Sequence, residues 1–326
     1  MTALRVGTRG SALALAQTRQ IADSLAKASG LEIELVTITT HGDTTTEPLA
    51  QLGGTGVFTG ALRDALLNDE IDVAVHSLKD LPTAPHPDIL LAAVPKRADA
   101  RDVLCARDHL TLETLPAGAR VGTGSPRRVA QLLSARADLE VVDMRGNIDT
   151  RLSRVFGDVE NDRRLDAVLL AAAGIGRLGR ADAATQHLEL AQWPTAPGQG
   201  ALALETRRQT AATPEGRTIA KALAAVNHVT SRANVAAERG VLAGLEAGCA
   251  APLGVTALIE DGLLFVTATV YSLDGTEKLT SSHAASLEGS GQSALLEAAD
   301  DVAQRVVDEL LDGGAARLAP LKGATR

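Results

Sequence analysis

Aromatic residues make up only 2% of the 326-residue chain: three Phe, one Tyr and one Trp. Readers of single-stranded nucleic acid stack bases on aromatic platforms, so this scarcity argues against that class. Positive charge is also short. With 32 Lys and Arg against 40 Asp and Glu, the net charge is −8, the wrong sign for a general polyanion binder. Two cysteines cannot build a disulfide framework, and their rarity fits a reducing compartment. No apolar run approaches the roughly 18–20 residues of a membrane span. The longest, AVLLAAAGIG from Ala167 to Gly176, is far shorter. SALALA near the start is like a short signal-peptide core, but Gln17 and Arg19 interrupt it. These absences predict a cytoplasmic protein with neither nucleic acid nor membrane as partner.

What is present is an ordinary globular composition, 45% hydrophobic and 22% charged, in a chain long enough for two or three domains. With so few aromatics, the core must be built from Ala, Leu and Val. Up to about residue 97, β-type runs alternate with amphipathic helical ones. Leu4 to Thr8 reads as a strand and Ala12 to Ala28 as a helix, with Ser11 as N-cap and Gly30 as stop. EIELVTITT, a helix over Val57 to Asn68 and the buried strand IDVAVHS follow, separated by the long polar loop His41 to Gly56. The alternation implies βαβ units around a largely parallel sheet.

A second α/β block opens near Arg101 with ARVGT, a helix from Pro126, LEVVDMRG, a helix from Ile148 and LDAVLL. Arg5-Val6-Gly7-Thr8 and Arg120-Val121-Gly122-Thr123 both lead into a helix started by serine, which suggests two domains of similar wiring. The strand Ala201 to Glu205 reads as a crossing back into the first sheet. Helices from Thr218 and over Val229 to Ala247 follow. The rest is β-β-β-α: GVTALIE, LLFVTATVYS, the Asp274-Gly275 turn, TEKLTSS and a helix from Ser293 to Leu311. The predicted division is residues 1–97 with 200–218, then 101–194, then a smaller α+β domain over 223–326.

Three features could carry chemistry. Cys249 lies in a Gly/Pro-bounded loop, whereas Cys105 sits in a strand and reads as a small core hydrophobe. For Cys249 the residues alone leave a structural and a reactive thiol both open, since reactivity requires a lowered pKa. Arginine is the second feature: Arg9, Arg127, Arg128, Arg145, Arg151, Arg154 and Arg177 fall where strands end and helices begin. Ligands of doubly wound sheets bind beyond the carboxyl ends of the strands. Guanidinium forks there, beside helix starts at Ser11 and Ser125, suit a ligand bearing several carboxylates or phosphates. Any one of these residues reads equally well as a solvated surface arginine. The third feature is HSLKDLP, which puts Lys79 and Asp80 at the end of an apolar strand. There Asp80 either stabilises developing positive charge or caps a turn before Pro82.

Taken in order, VGTRGSALALAQ, HSLKDLP, VGTGSPRR, MRGNIDTRL, LAAAGIGRLG, PGQGALALE and ERGVLAGLEAGCAAPLG run over almost the whole chain, and together they resemble the hydroxymethylbilane synthases, or porphobilinogen deaminases. The resemblance implies an α/β fold of two domains like type II periplasmic binding proteins, with parallel-rich sheets, plus a C-terminal α+β domain. It implies a monomeric transferase that condenses four porphobilinogen molecules head to tail on a dipyrromethane cofactor, releasing ammonia at each addition and then 1-hydroxymethylbilane. The cofactor would be attached through a thioether at Cys249. Asp80 and Lys79 would be catalytic. Ser77, Lys79, Asp80, Thr123, Ser125, Arg127, Arg128, Arg145 and Gly146 would line the cofactor. Arg9, Ser11, Gln17, Phe58, Arg145, Arg151, Arg177 and Gln199 would meet substrate. No metal is implied. GGTGVFTGAL departs from the family's lysine-bearing GGKGLFVKEL at Thr55 and Gly60, leaving the roles of those lysines open here. A solute-binding protein and an unrelated cysteine-nucleophile enzyme are the rival classes. The first is weakened by the absence of an export signal, the second by the absence of a histidine partner near Cys249.

Overall fold

The computed structural model describes residues 3–39, 59–160, 163–248, 251–287 and 291–321. The chain begins β1 (Ala3–Arg9), α1 (Ala12–Ser29), β2 (Glu32–Ile38), α2 (Gly60–Leu67), β3 (Val73–Ser77) and β4 (Ile89–Ala93). It continues with β5 (Asp102–Ala106), β6 (Arg120–Gly122), α3 (Pro126–Ala135), β7 (Glu140–Val142), α4 (Ile148–Phe156), β8 (Ala167–Ala171), α5 (Ala172–Arg177) and β9 (Gln186–Leu188). Then come β10 (Leu202–Arg207), α6 (Pro214–Val226), α7 (Val229–Gly244), β11 (Leu253–Glu260), β12 (Leu263–Tyr271), β13 (Lys278–Ser286) and α8 (Gln292–Asp312). Contacts gather these into two units, Met1–Ala98 with Ala201–Val235, and Asp99–Gly200 with Ala236–Arg326.

In the first unit the strand order is β2-β1-β3-β10-β4. β1 runs parallel to β2 and β3, and β10 enters antiparallel between β3 and β4. Helix α1 forms where expected. Ser11, in extended conformation, accepts a hydrogen bond from the Ala14 N–H at 3.2 Å. Gly30 ends the helix at φ 70°, a left-handed conformation that costs glycine nothing. Leu4, Val6, Val73, Val75 and Leu204 pack against Ile21 and Leu25 of α1 and Ile219 and Leu223 of α6. Each such side chain contributes about 1.5–3 kcal/mol when fully buried. Helix α6 starts at Pro214, four residues before the expected Thr218, because the Thr213 side chain caps it and proline occupies its first position. Helix α7 ends at Gly244 rather than Ala247, where Glu246 turns left-handed at φ 47°.

The second unit repeats the plan. Its order is β7-β6-β8-β5-β9, with β7, β6 and β8 parallel and β5 antiparallel between β8 and β9. The repeat reaches individual atoms. In the first unit the Arg5 N–H donates to Asp72 Oδ2 at 3.0 Å, and the Asp72 N–H returns a bond to the Arg5 carbonyl at 2.9 Å. In the second, the Arg120 N–H donates to Asp166 Oδ2 at 2.7 Å, and the Asp166 N–H returns to Arg120 at 2.9 Å. Gly7 and Gly122 are equivalent as well, since a Cβ would collide with Ile71 at one and with Leu165 at the other. The RVGT echo is therefore a three-dimensional repeat that includes the ID and LD pairs before β3 and β8.

Both faces of the second sheet are covered, Leu104, Val121 and Leu169 with Leu132 of α3 on one side, and Val103, Val168 and Leu170 with Leu152 and Val155 of α4 on the other. The same unit carries the antiparallel sheet β11-β12-β13, whose inner residues Leu253, Val255, Leu264 and Val266 bury Val302, Val306 and Leu310 of α8. Its Asp274-Gly275 turn lies so close to the Ala130 carbonyl of α3 that a side chain at Gly275 would not fit. No helix among the described residues is long and apolar enough to cross a membrane.

A buried ion pair ties α2 to β10. Arg63 grips Glu205 with two bonds, 2.9 and 2.7 Å, and His76 Nε2 lies 3.2 Å from the same carboxylate. Burial alone would raise the pKa of Glu205, but the close approach of His76 and the two hydrogen bonds from Arg63 outweigh it and hold the value at about 2, from an ordinary 4.5. The stabilisation, about 3 kcal/mol by linkage, is fully present above pH ~4.5 and is lost as the pH falls towards 2. Urea midpoints between pH 6 and 3 should therefore fall less steeply in Glu205→Gln than in the native chain.

Candidate functional site

In the second unit, α3 begins at the carboxyl end of β6. Thr123, fully buried, accepts from the Ser125 N–H at 3.3 Å, and Ser125 caps the helix by accepting from the Arg128 N–H at 3.5 Å. With Pro126 at its first position, this start turns both Arg127 and Arg128 inward, only 4% and 7% exposed. They meet on Asp102, which opens β5 opposite Ala171, the last residue of β8. Arg127 Nη1 donates to Asp102 Oδ2 at 2.8 Å, to Gln131 at 2.6 Å and to the Pro194 carbonyl at 3.3 Å. Arg128 Nη2 donates to Asp102 Oδ1 at 2.6 Å and its Nη1 to the Leu169 carbonyl at 3.0 Å. Trp193 Nε1 and Gln199 Nε2 complete the ring around Asp102 at 3.0 and 2.8 Å. Burial would push the Asp102 carboxyl up, but the charges of Arg127 and Arg128 hold it far below the ordinary carboxylate range.

Asp102 escaped the sequence reading. Its signal was a single charge opening the otherwise apolar run DVLCA, and buried charges require partners. Arg127 is expected at a ligand; its Nη1 is used within the protein, while its Nε is buried without an acceptor. Arg127→Leu should lower stability by about 3–5 kcal/mol, because it strips a fully buried carboxylate of one partner. The denaturant midpoint measures this.

Arg145 follows β7, and the Gly146 carbonyl accepts from Arg151 Nε at 2.9 Å. Gly146 adopts φ 105°, with Thr150 in close contact where a side chain would project. Burial, and then the neighbouring charges of Arg128 and Arg145, pull the pKa of Arg151 down, against the pull of Asp143. Arg128 and Arg145 thus both lie within electrostatic reach of Arg151. Arg177 ends α5, donates to the Gly200 carbonyl at 2.8 Å, and is likewise lowered by burial.

In the first unit, Gln17 is buried on α1 and accepts from Ser77 Oγ at 3.4 Å. Arg9 ends β1, and Ser77 ends β3. Lys79, exposed, and Asp80, half-buried, sit in the single turn Leu78–Asp80 that follows. That turn is closed by the Leu81 N–H donating to the Leu78 carbonyl at 3.1 Å. Cys105 is fully buried, and burial pushes its thiol up to about 12. Cys249, Phe58 and Thr55 lie outside the described residues, and Gly60 opens α2. Among the described residues no cluster of His, Cys, Asp and Glu is placed to hold a metal ion.

Residues 4–215 match the family model described as porphobilinogen deaminase, dipyromethane cofactor binding domain. The chain belongs to the porphobilinogen deaminase family. Residues 233–312 match the C-terminal domain of porphobilinogen deaminase. A porphobilinogen deaminase of Leifsonia xyli subsp. xyli is 65% identical over 323 residues, 98% of this chain and 95% of its own. One from Cutibacterium acnes is 48% identical, with both chains covered completely. The solved methionine-binding protein MetQ covers 68% of the chain and 90% of its own length at 13% identity and a TM-score of 0.42, too remote to bear on function. Porphobilinogen deaminases are transferases of tetrapyrrole synthesis, and the larger domain is the one that binds their dipyrromethane cofactor. The residues present fit such a polycarboxylate. Arg127 Nε and Arg128 Nε are both buried with no acceptor, and the like charges of Arg128 and Arg145 reach Arg151. Donors and a charge excess of that kind call for an anion.

Proposed function

We propose that this chain performs the porphobilinogen deaminase reaction with Asp80 as its catalytic carboxylate and Cys249 as the point of cofactor attachment. The observation that carries the reading is the crowding of Arg128, Arg145 and Arg151 at the carboxyl end of a parallel sheet, where doubly wound folds bind ligands. Each pyrrole brings an acetate and a propionate, so a lengthening chain accumulates negative charge that guanidinium groups can meet in pairs. When bound, the dipyrromethane supplies a covalent primer, which removes the entropy of recruiting a separate acceptor.

The protein's own groups do the rest. Arg127, Arg128 and Arg145, with Ser125, Thr123 and Gly146 around them, take cofactor carboxylates. Arg9, Ser11, Gln17, Phe58, Arg145, Arg151, Arg177 and Gln199 serve substrate. Porphobilinogen loses its amine as ammonia when the aminomethyl C–N bond breaks, leaving a methylene-pyrrole cation on the substrate. Asp80 accepts hydrogen bonds from pyrrole N–H groups and offsets that cation, with Ser77 and Lys79 next to it. We also propose a monomer in the cytoplasm, divided as residues 1–97 with 200–218, 101–194 and 223–326.

The test is the intact mass of freshly purified protein together with an assay of porphobilinogen consumption. The expected result is an added mass of two linked pyrrole units and formation of hydroxymethylbilane. Protein of unmodified mass that binds porphobilinogen without releasing ammonia would instead be a solute-binding protein.

A further inference from the structure

We propose that Asp102 is a positioning residue, holding the Arg128 guanidinium in the orientation that presents it to a ligand carboxylate. This rests on the reading that Arg128 meets such carboxylates, first those of the cofactor and then those of the pyrroles added to it. Two of Arg128's three nitrogens are spoken for, Nη2 by Asp102 at 2.6 Å and Nη1 by the Leu169 carbonyl at 3.0 Å. The third, Nε, is buried without an acceptor. The planar fork therefore has one orientation, and Asp102 defines it. Arg128 also lies within electrostatic reach of Arg151, a like charge. A fixed counter-charge is needed to keep it inside. Asp102 can act as that anchor because it is itself held from four sides, by Arg127, Arg128, Trp193 and Gln199, with no exposed surface.

Position separates this role from plain stabilisation. The first unit contains a similar hub. Asp72 is also fully buried and also joins two arginines, Arg5 at 2.8 Å and Arg207 at 3.2 Å. Those arginines additionally bind the main-chain carbonyls of Asp69, Leu66 and Ile71. Asp72 lies just before β3, at the amino ends of its parallel strands. Asp102 instead faces Ala171, at the carboxyl end of β8, where ligands bind. Two hubs of similar make thus sit at opposite ends of equivalent sheets, and only one borders the crowded cations.

The experiment compares Asp102→Asn, Asp72→Asn and Arg128→Leu in the full chain, each purified with whatever cofactor it has assembled. Three quantities are read: the loaded fraction by intact mass, the thermal midpoint, and kcat and KM for porphobilinogen on the loaded fraction at a temperature where all are folded. Both aspartate variants should melt earlier. Asp72→Asn should keep native loading and KM. Asp102→Asn should load less, and its KM should rise at least about tenfold with a much smaller change in kcat, the loss expected when a charged hydrogen bond no longer holds a binding group. Native loading and KM in folded Asp102→Asn would reduce Asp102 to a stabilising residue and overturn the proposal, as would an equal rise in KM for Asp72→Asn. Native behaviour of Arg128→Leu would overturn the underlying ligand assignment instead. If Asp102→Asn does not fold, Trp193→Phe decides, since it removes only the indole N–H from Asp102 Oδ2. A rise in KM of about threefold with kcat retained supports the positioning role, and an unchanged KM rejects it.

Discussion

Asp80→Asn is expected to lose turnover by a factor of about 10²–10³, or ~3–4 kcal/mol of transition-state stabilisation, while substrate binding changes far less. The substitution preserves the shape of the side chain and part of its hydrogen bonding but removes its charge. If that charge offsets the methylene-pyrrole cation, its absence is felt only as the cation forms, which places the loss in the chemical step. Asp80→Glu restores the charge displaced by one methylene and should retain more activity than the asparagine variant. The measurement is single-turnover ammonia release from protein already shown by mass to carry its cofactor. That control is essential because assembling the cofactor uses the same chemistry, and an empty protein would mimic a catalytic defect. Ammonia release at the native rate from loaded Asp80→Asn would require another acid.

Cys249→Ser should fold yet carry no pyrroles and form no product. A thiol is partly ionised near neutral pH and the thiolate is the nucleophile, whereas a serine hydroxyl stays protonated. Colour development with an Ehrlich-type reagent on denatured protein, paired with intact mass, reports the missing group. The other cysteine offers no substitute. Cys105 has no exposed surface and a thiol pushed up to about 12, so Cys105→Ser should keep the cofactor while losing some stability. Pyrroles retained by Cys249→Ser would move the attachment elsewhere.

What could be read from the sequence was what neighbouring residues decide. Ser11 and Gly30 delimit α1, Asp274-Gly275 makes the hairpin, and the apolar run before HSLKD becomes β3, because capping, turn chemistry and periodicity act over a few residues. The start of α6 was legible too, in Thr213-Pro214, but its apolar spacing drew attention further along. The fate of each arginine was not legible. Arg127 and Arg128 are adjacent and look alike in sequence. Their environment is set by Asp102, 25 residues away from Arg127, and by Gln199, 97 residues away from that aspartate. Glu205 and Arg63 are separated by 142 positions. Local pattern marks where guanidinium groups gather at strand ends. Only the folded chain shows which carboxylates and carbonyls each guanidinium meets.

The doubled Arg–Asp clasp, Arg5 with Asp72 and Arg120 with Asp166, has a consequence for how such a catalyst can change over time. Each clasp fastens the amino end of a sheet, remote along its strands from the loops that carry chemistry. A scaffold secured at one end leaves the other free to diverge. After β3 the chain reads Leu-Lys-Asp, and after the equivalent β8 it reads Ala-Ala-Gly. One copy has an acid there and the other has small residues with arginines on neighbouring loops, with no shift in strand order between them. Specialisation of two such alike halves then requires only substitutions beyond the last paired residue, where main-chain pairing no longer constrains the side chain.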